Sequence, residues 1–200
     1  GMVIVDECHH LSAFSFERIM RFANARYVYG LTATPIRKDG HQPIIFMQCG
    51  AIRHSVIANS TTAYERILTP RFITSKRRVE DNEPYTATIR YLAEDRVRNE
   101  LIVRDAVDAI NRGRTPIILT ALTSHTECLC EMLKPYCKNV VKLVGADSVK
   151  QKRLAMEQIR AVEANEDMVI VATGQYVGEG FDLPRLDTLL LALPVSWKGI

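Results

Sequence analysis

Residues 2–10 read Met-Val-Ile-Val-Asp-Glu-Cys-His-His, an apolar run that leads directly into two acids, a cysteine and two histidines. A continuous short apolar run is typical of a strand buried on both faces of a parallel sheet. Sheets of this kind bind their ligands at the carboxyl ends of the strands. We therefore expect the carboxylates of Asp6 and Glu7 to lie at a functional edge of the sheet.

The same strand pattern recurs along the chain and alternates with segments of helical spacing. Candidate buried strands are residues 2–5, 27–31, 116–121, 140–144, 168–172 and 188–193. Before Gly113, apolar residues recur at helical spacing at Val103, Ala106 and Ile110, and the glycine suits a helix end. This alternation predicts an α/β fold with parallel sheets and flanking helices.

Two later helices have predicted starting points. Ser124 and Glu127 match the S-x-x-E capping box, in which two side chains satisfy backbone N–H groups at a helix start. A further helix is predicted after Ser148, with an apolar face that includes Ala155 and Ile159.

A polar stretch from Ser75 to Pro84 divides the chain, and its closing proline is typical of a linker. We predict a first domain over residues 1–75, a linker over 76–85 and a second domain over 86–200. The first domain has only two predicted strands, so strand edges and apolar surface should be uncovered. We expect this half-domain to pair with a second copy of the chain, as a homodimer, or to be poorly ordered.

The composition narrows the class of protein. With 47% hydrophobic and 24% charged residues the chain is globular, and its net charge is only +3. Residues 1–80 carry the excess of Lys and Arg, which weakly favours a polyanion partner. No apolar run approaches the roughly 20 residues that cross a bilayer, and the five cysteines are irregularly spaced. These features predict a cytoplasmic protein with reduced thiols and no membrane partner.

The acidic cluster after the first strand has three interpretations. Adjacent carboxylates suit Mg-nucleotide hydrolysis, in which one acid holds Mg²⁺ and the other orients or deprotonates water. An acid at this position also suits the cap of a following helix. A zinc site is disfavoured because Cys8, His9 and His10 are contiguous, so that their side chains diverge, and no further ligand pair lies nearby.

Four segments together resemble the motifs of superfamily 2 helicases. They are VIVDECHH at 3–10, GLTATPIRKDG at 30–40, ILTALTSHTECLCEML at 118–133 and VIVATGQYVGEGFDLPRLD at 169–187, and they look like motifs II, III, IV and V in order. The first two are similar to those of XPB-type DNA repair helicases, of the DExH form, and of restriction-system helicase subunits. The resemblance implies a P-loop NTPase core of two RecA-like domains, the first truncated. It also implies an ATP-dependent DNA helicase or translocase that uses ATP and Mg²⁺ and binds nucleic acid.

The resemblance also implies roles for single residues of the first domain. Asp6 would coordinate Mg²⁺, Glu7 would activate the attacking water, and His9 would couple hydrolysis to movement. Thr32 and Thr34 would link the nucleotide site to the second domain. The alternatives are a histidine simply hydrogen-bonded within its domain and ordinary hydroxyls in the turn before a proline.

In the second domain, glycine-rich loops expose backbone N–H groups that can hold phosphate. The resemblance places Gly180 and Asp182 on the ATP-facing side of the cleft between domains. Candidate contacts to the nucleic-acid backbone are Thr123, Gly145, Thr173 and Gly174. A tight loop is the alternative explanation for the glycines.

The 200 residues contain neither the G-x-x-x-x-G-K-[ST] loop that cradles ATP phosphates nor the arginine-bearing motif VI. A transition-state arginine contributes about 10³ to 10⁵ in rate to phosphoryl transfer. We therefore expect a parent enzyme of which this part alone has negligible ATPase activity. Two other classes stay open: a non-hydrolysing nucleic-acid- or protein-binding module from a split or degenerate helicase gene, and a metal-dependent hydrolase.

Overall fold

The structure is a computed structural model that describes residues 1–12, 14–33, 42–56, 65–74, 83–174, 176–177 and 181–194. The chain separates into two compact units, one containing Gly1–Thr69 and the other Pro70–Trp197. Most of the predicted linker, 76–85, lies outside the described residues, so that the domain boundary stays a prediction.

The first unit is built on a two-stranded parallel sheet. Strand β1 (Met2–Val5) pairs with β2 (Tyr27–Gly30), and a 3-10 helix (Cys8–Ser12) and helix α1 (Phe14–Arg21) connect them. Helix α2 (Gln42–Cys49) follows in the chain. One face of the sheet packs on a small core that contains Cys8, Leu11 and Ile45.

The other face of this sheet is open among the described residues. Met2 and Ile4 of β1 and Tyr27 and Tyr29 of β2 have exposed fractions between 42% and 61%. Because alternate residues of paired strands share one face, these four side chains form a single apolar surface, which we call the open sheet face. This open face agrees with the expected uncovered apolar surface of the first domain, whereas the expected burial of β1 and β2 on both faces is not met among the described residues. Pairing with a second copy stays a prediction.

The second unit contains a four-stranded parallel sheet. The strands are β3 (Pro116–Thr120), β4 (Asn139–Leu143), β5 (Met168–Thr173) and β6 (Thr188–Leu191), in the order β4-β5-β3-β6. All three ladders are parallel, and the two central strands are fully buried. The predicted strands are confirmed with slightly shifted ends, and so is the α/β class.

Helices cover both faces of this second sheet. They are α3 (Tyr85–Glu94), α4 (Arg96–Ile110), α5 (Thr123–Leu133) and α6 (Val149–Ala161). Helices α4 and α5 pack on one face around Ile118 and Val169, and α6 packs on the other face around Ile170. Within the described ranges, no helix has both the length and the apolar content needed to cross a membrane.

The predicted capping box at Ser124 is wrong. Helix α5 begins at Thr123 and its N-cap is Leu122, which makes no side-chain capping hydrogen bond. Because the extended backbone of Leu122 follows β3 almost at once, the helix starts earlier and Ser124 falls inside its first turn. A capping box does occur at the start of α6, where Ser148 accepts from the Gln151 N–H at 3.3 Å. The predicted start of that helix is confirmed.

Candidate functional site

The turn after β1 carries the two acids. Oδ1 of Asp6 accepts a hydrogen bond of 2.9 Å from the Glu7 N–H, and Glu7 has a φ of 46°, in the left-handed region that non-glycine residues rarely adopt. The Leu31 N–H donates to the Val5 carbonyl at 2.8 Å, and the Cys8 N–H donates to the Leu31 carbonyl at 2.9 Å. The carboxyl ends of β1 and β2 are thus held side by side, and strained backbone of this kind clusters at functional sites.

His9 lies between these two strand ends. Its Nδ1 atom is 2.9 Å from Thr32 Oγ1 and 3.0 Å from Glu7 Oε2, and the residue is only 8% exposed. The structure therefore brings together Glu7, His9 and Thr32, three of the predicted site residues. Thr34 lies outside the described residues.

The donor groups in this turn suit magnesium better than zinc. Asp6 is exposed, and one of its carboxylate oxygens already accepts from the backbone. Proteins commonly hold Mg²⁺ with one or two carboxylates while water and phosphate oxygens complete the shell. Structural zinc needs four converging ligands, and among the described residues no three His, Cys, Asp or Glu side chains are grouped to hold a metal. The residues present therefore fit a Mg²⁺–phosphate complex.

Cys8 has a packing role that its position between the acid pair and the histidines did not reveal. It is 4% exposed, and its side chain fills the space that a Cβ on Gly30 would occupy. A Cβ added to Gly30 would lie 2.7 Å from Cys8 Sγ and 3.0 Å from Cys49 Sγ, closer than real contacts allow. Gly30, at the end of β2, is thus required by this close approach, and a glycine ending an apolar strand was the available signal.

In the second unit, the predicted contacts to nucleic acid meet at the carboxyl ends of β3 and β5. The Gly145 N–H donates to Thr173 Oγ1 at 2.9 Å, and the Gly174 N–H donates to the Thr120 carbonyl at 3.2 Å. Thr123 is the first residue of α5, which follows β3. Asp182 is exposed in the segment between β5 and β6, and Gly180 lies outside the described residues.

Lys152 and Tyr176 are further polar residues at this edge that sequence patterns did not single out. The Lys152 ammonium donates to the Gly145 carbonyl at 2.8 Å and lies 5.8 Å from the centroid of the Tyr176 ring. Burial, and secondarily the charge of Asp147, raises the pKa of the Tyr176 phenol. Lys152 therefore brings a fixed positive charge to the edge that carries Thr173.

A buried polar chain holds the beginning of α5 to β3 and α4. His125 Nδ1 is 2.8 Å from Thr120 Oγ1, and its Nε2 is 2.8 Å from Asn99 Oδ1. Because Asn99 donates its amide to the Ala93 carbonyl at 2.7 Å, its Oδ1 is the acceptor, so Nε2 carries the proton and Thr120 donates to Nδ1. Burial, helped by the charge of Arg98, lowers the pKa of His125 to about 4.

The chain is similar to proteins that are named as helicases or transcript termination proteins. Residues 1–37 match the family described as Type III restriction enzyme, res subunit. Over 205 residues the chain is 28% identical to "Putative helicase 161L" of Invertebrate iridescent virus 6. The aligned region covers 98% of this chain and 45% of that protein. Over 199 residues it is 26% identical to transcript termination protein A18 of Fowlpox virus (strain NVSL), covering 94% of this chain and 42% of that one. The chain is similar to superfamily 2 helicases.

The helicase-like chain spans less than half the length of these two relatives. Among solved structures, UvsW of T4 matches 57% of this chain and 23% of its own, with 16% identity and a TM-score of 0.47. The predicted resemblance to superfamily 2 is confirmed, and so is the α/β class of fold with parallel sheets and flanking helices. The similarity to the XPB type and the DExH subtype stay predictions.

Proposed function

We propose that this chain is part of an ATP-dependent nucleic-acid helicase or translocase, with DNA as the track, in which hydrolysis between two RecA-like domains drives movement. The observation that carries the proposal is the position of His9 Nδ1 between the Glu7 carboxylate and the Thr32 hydroxyl. A base held by a neighbouring side chain is the usual arrangement for activating water. Here the side chain that holds the base also contacts the end of the next strand.

Asp6 and Glu7 divide the work at the nucleotide. Asp6, the exposed carboxylate at the strand end, would hold Mg²⁺, which when bound supplies positive charge to the phosphate oxygens of ATP. Glu7 would accept a proton from the attacking water while His9 orients its carboxylate. A displacement of Thr32 would then move the Glu7 carboxylate, because His9 Nδ1 contacts both side chains.

Contacts to the nucleic-acid backbone would come from donors that the fold leaves available. The N–H groups of Gly145 and Gly174 are already used inside the domain, which argues against a direct role for them. Thr173 Oγ1 accepts from Gly145 and keeps its own hydrogen to donate to a phosphate. The N–H of Thr123 in the first helical turn and the ammonium of Lys152 complete the set.

The test is nucleic-acid-stimulated ATPase activity of the full-length parent protein, comparing the wild type with Glu7→Gln. Because a positioned general base contributes about 10² to 10⁴-fold, turnover should fall by that factor while binding of DNA is retained. Unchanged turnover would remove Glu7 from the catalytic role. A wild-type parent that binds nucleic acid but never hydrolyses ATP would support the binding-module alternative, and parallel assays with RNA decide the track.

A further inference from the structure

Two thiols beside the acidic turn have no part in the proposed function. Cys8 begins the 3-10 helix and Cys49 ends α2, yet both sulfur atoms press on the same small space beside Gly30. A hydrogen bond links the two thiol side chains, and both cysteines are free. Two elements that are distant in sequence therefore present adjacent sulfur atoms inside one core.

We propose that Cys8 and Cys49 form a reversible intramolecular disulfide on exposure to a hydroperoxide, and that this bond clamps α2 against the turn carrying Asp6 and Glu7. Cys49 is half-buried, whereas Cys8 is 4% exposed, so Cys49 meets the oxidant first. Its sulfur attacks hydrogen peroxide, the O–O bond breaks, and a sulfenic acid and one water form. Cys8 then attacks that sulfur, which releases a second water as the S–S bond forms.

In this reaction the peroxide is reduced and the two sulfur atoms are oxidised, so no other reactant is needed. A dithiol reductant reverses it by thiol exchange. Burial raises the pKa of Cys49, so its thiol stays protonated at neutral pH and reacts more slowly than an exposed thiolate.

The remaining cysteines supply internal controls. Cys128 is exposed, with its thiol 3.9 Å from the Met132 sulfur, while Cys130 and Cys137 are buried. Trypsin separates the groups: Cys8 falls in the peptide of residues 1–18, Cys49 in 39–53, and the other three in 115–138. A crosslink between the first two peptides therefore identifies which pair of cysteines is joined, and migration of the unreduced protein as a single chain in denaturing electrophoresis shows that the bond is intramolecular.

The experiment treats the 200-residue chain with hydrogen peroxide, alkylates the remaining thiols and analyses the unreduced tryptic peptides by mass spectrometry. The expected major product is peptide 1–18 joined to 39–53, lighter than the two free peptides by two hydrogen atoms, and it should vanish with dithiothreitol and in Cys49→Ser. The proposal is overturned if Cys8 and Cys49 are both recovered alkylated at an oxidant dose that oxidises Cys128. A crosslink from 39–53 to 115–138 would overturn it as well.

Clamping of the site rests on the proposed function, whereas the disulfide does not. In the full-length parent, oxidation should lower the ATPase rate at least several-fold, dithiothreitol should restore it, and Cys49→Ser should keep it constant. A mapped disulfide with unchanged turnover would overturn the clamp. A parent that hydrolyses no ATP even when reduced would instead refute the proposed function, so the two failures are distinguishable.

Discussion

His9 Nδ1 and Thr32 Oγ1 lie 2.9 Å apart, although 23 residues separate them in the chain. The contact joins the segment after β1 to the segment after β2, and the same nitrogen lies 3.0 Å from the Glu7 carboxylate. Glu7, His9 and Thr32 can therefore respond as one unit to a displacement of either strand end.

Replacing Thr32 by valine should weaken this unit. The hydrogen bond contributes about 1 kcal/mol, so nucleic-acid-stimulated ATPase activity of the parent protein should fall several-fold, with a smaller change in its unstimulated rate. Thr32→Ser keeps the hydroxyl and is the matched control. An equal loss in the serine and valine variants would contradict the role of the hydroxyl, because serine keeps it.

Protonation of His125 should destabilise the second unit. Its pKa is about 4 in the folded state against 6.5 in the unfolded chain, so the unfolded state takes up the proton at higher pH. The stabilisation is fully present above pH 6.5 and is lost as the pH falls toward 4, on the order of 3 kcal/mol in total.

Urea denaturation at several pH values tests this. His125→Asn should be less stable at neutral pH and should lose less stability than the wild type between pH 6.5 and 4. The exposed His54, changed to asparagine, is the control. The same pH dependence in wild type and His125→Asn would contradict the assignment.

Replacing Gly30 by alanine should crowd the two sulfur atoms beside it. Overpacking of this kind costs about 1 to 3 kcal/mol, measured as the free energy of unfolding. Cys8→Ala removes the sulfur atom at 2.7 Å, so the double variant should lose less stability than the sum of the two single variants. If the two stability losses are simply additive, the contact with the Cys8 sulfur is not the cause of the loss in Gly30→Ala.

Replacing Lys152 by alanine should weaken nucleic-acid binding without changing sequence preference. If Lys152 contacts one phosphate, the slope of log affinity against log salt concentration should fall by about 1. Lys150, exposed two residues earlier on the same helix, is the matched control. Fluorescence anisotropy over a salt series measures both, and identical slopes for the two variants would remove Lys152 from the interface.

The open sheet face should promote self-association of the 200-residue chain. Exposed contiguous apolar surface favours association because its burial releases water. Light scattering over a concentration series should show a dimer, and Ile4→Glu, which places a charge on that face, should shift it to monomer. A wild-type chain that stays monomeric throughout would refute the predicted homodimer.

Sequence patterns could predict the strands and helices, but not which side chains of different elements contact one another. Apolar runs located all six described strands because burial in a parallel sheet requires a local, continuous signal. The contacts of Cys8 with Gly30, and of His125 with Asn99 and Thr120, depend on how distant elements pack, which no local spacing encodes. The acids of the turn were predictable from their position after a strand.

The cap assigned to Ser124 failed for a related reason. The start of a helix depends on the loop before it as well as on its capping residues. Here the short loop after β3 makes α5 begin at Thr123, before the Ser124 motif can act as a cap. At Ser148, where only the start of a helix was predicted, the structure forms a capping box because the serine backbone is extended, as an N-cap requires.

The left-handed backbone of Glu7 has a consequence for selection. Folding stability alone would favour glycine at this position, since a non-glycine residue in that region costs on the order of 1 kcal/mol or more. A glutamate at this position therefore lowers the stability of the fold relative to glycine. Random mutagenesis scored only for stability should enrich Glu7→Gly, whereas the same library scored for turnover should lose it.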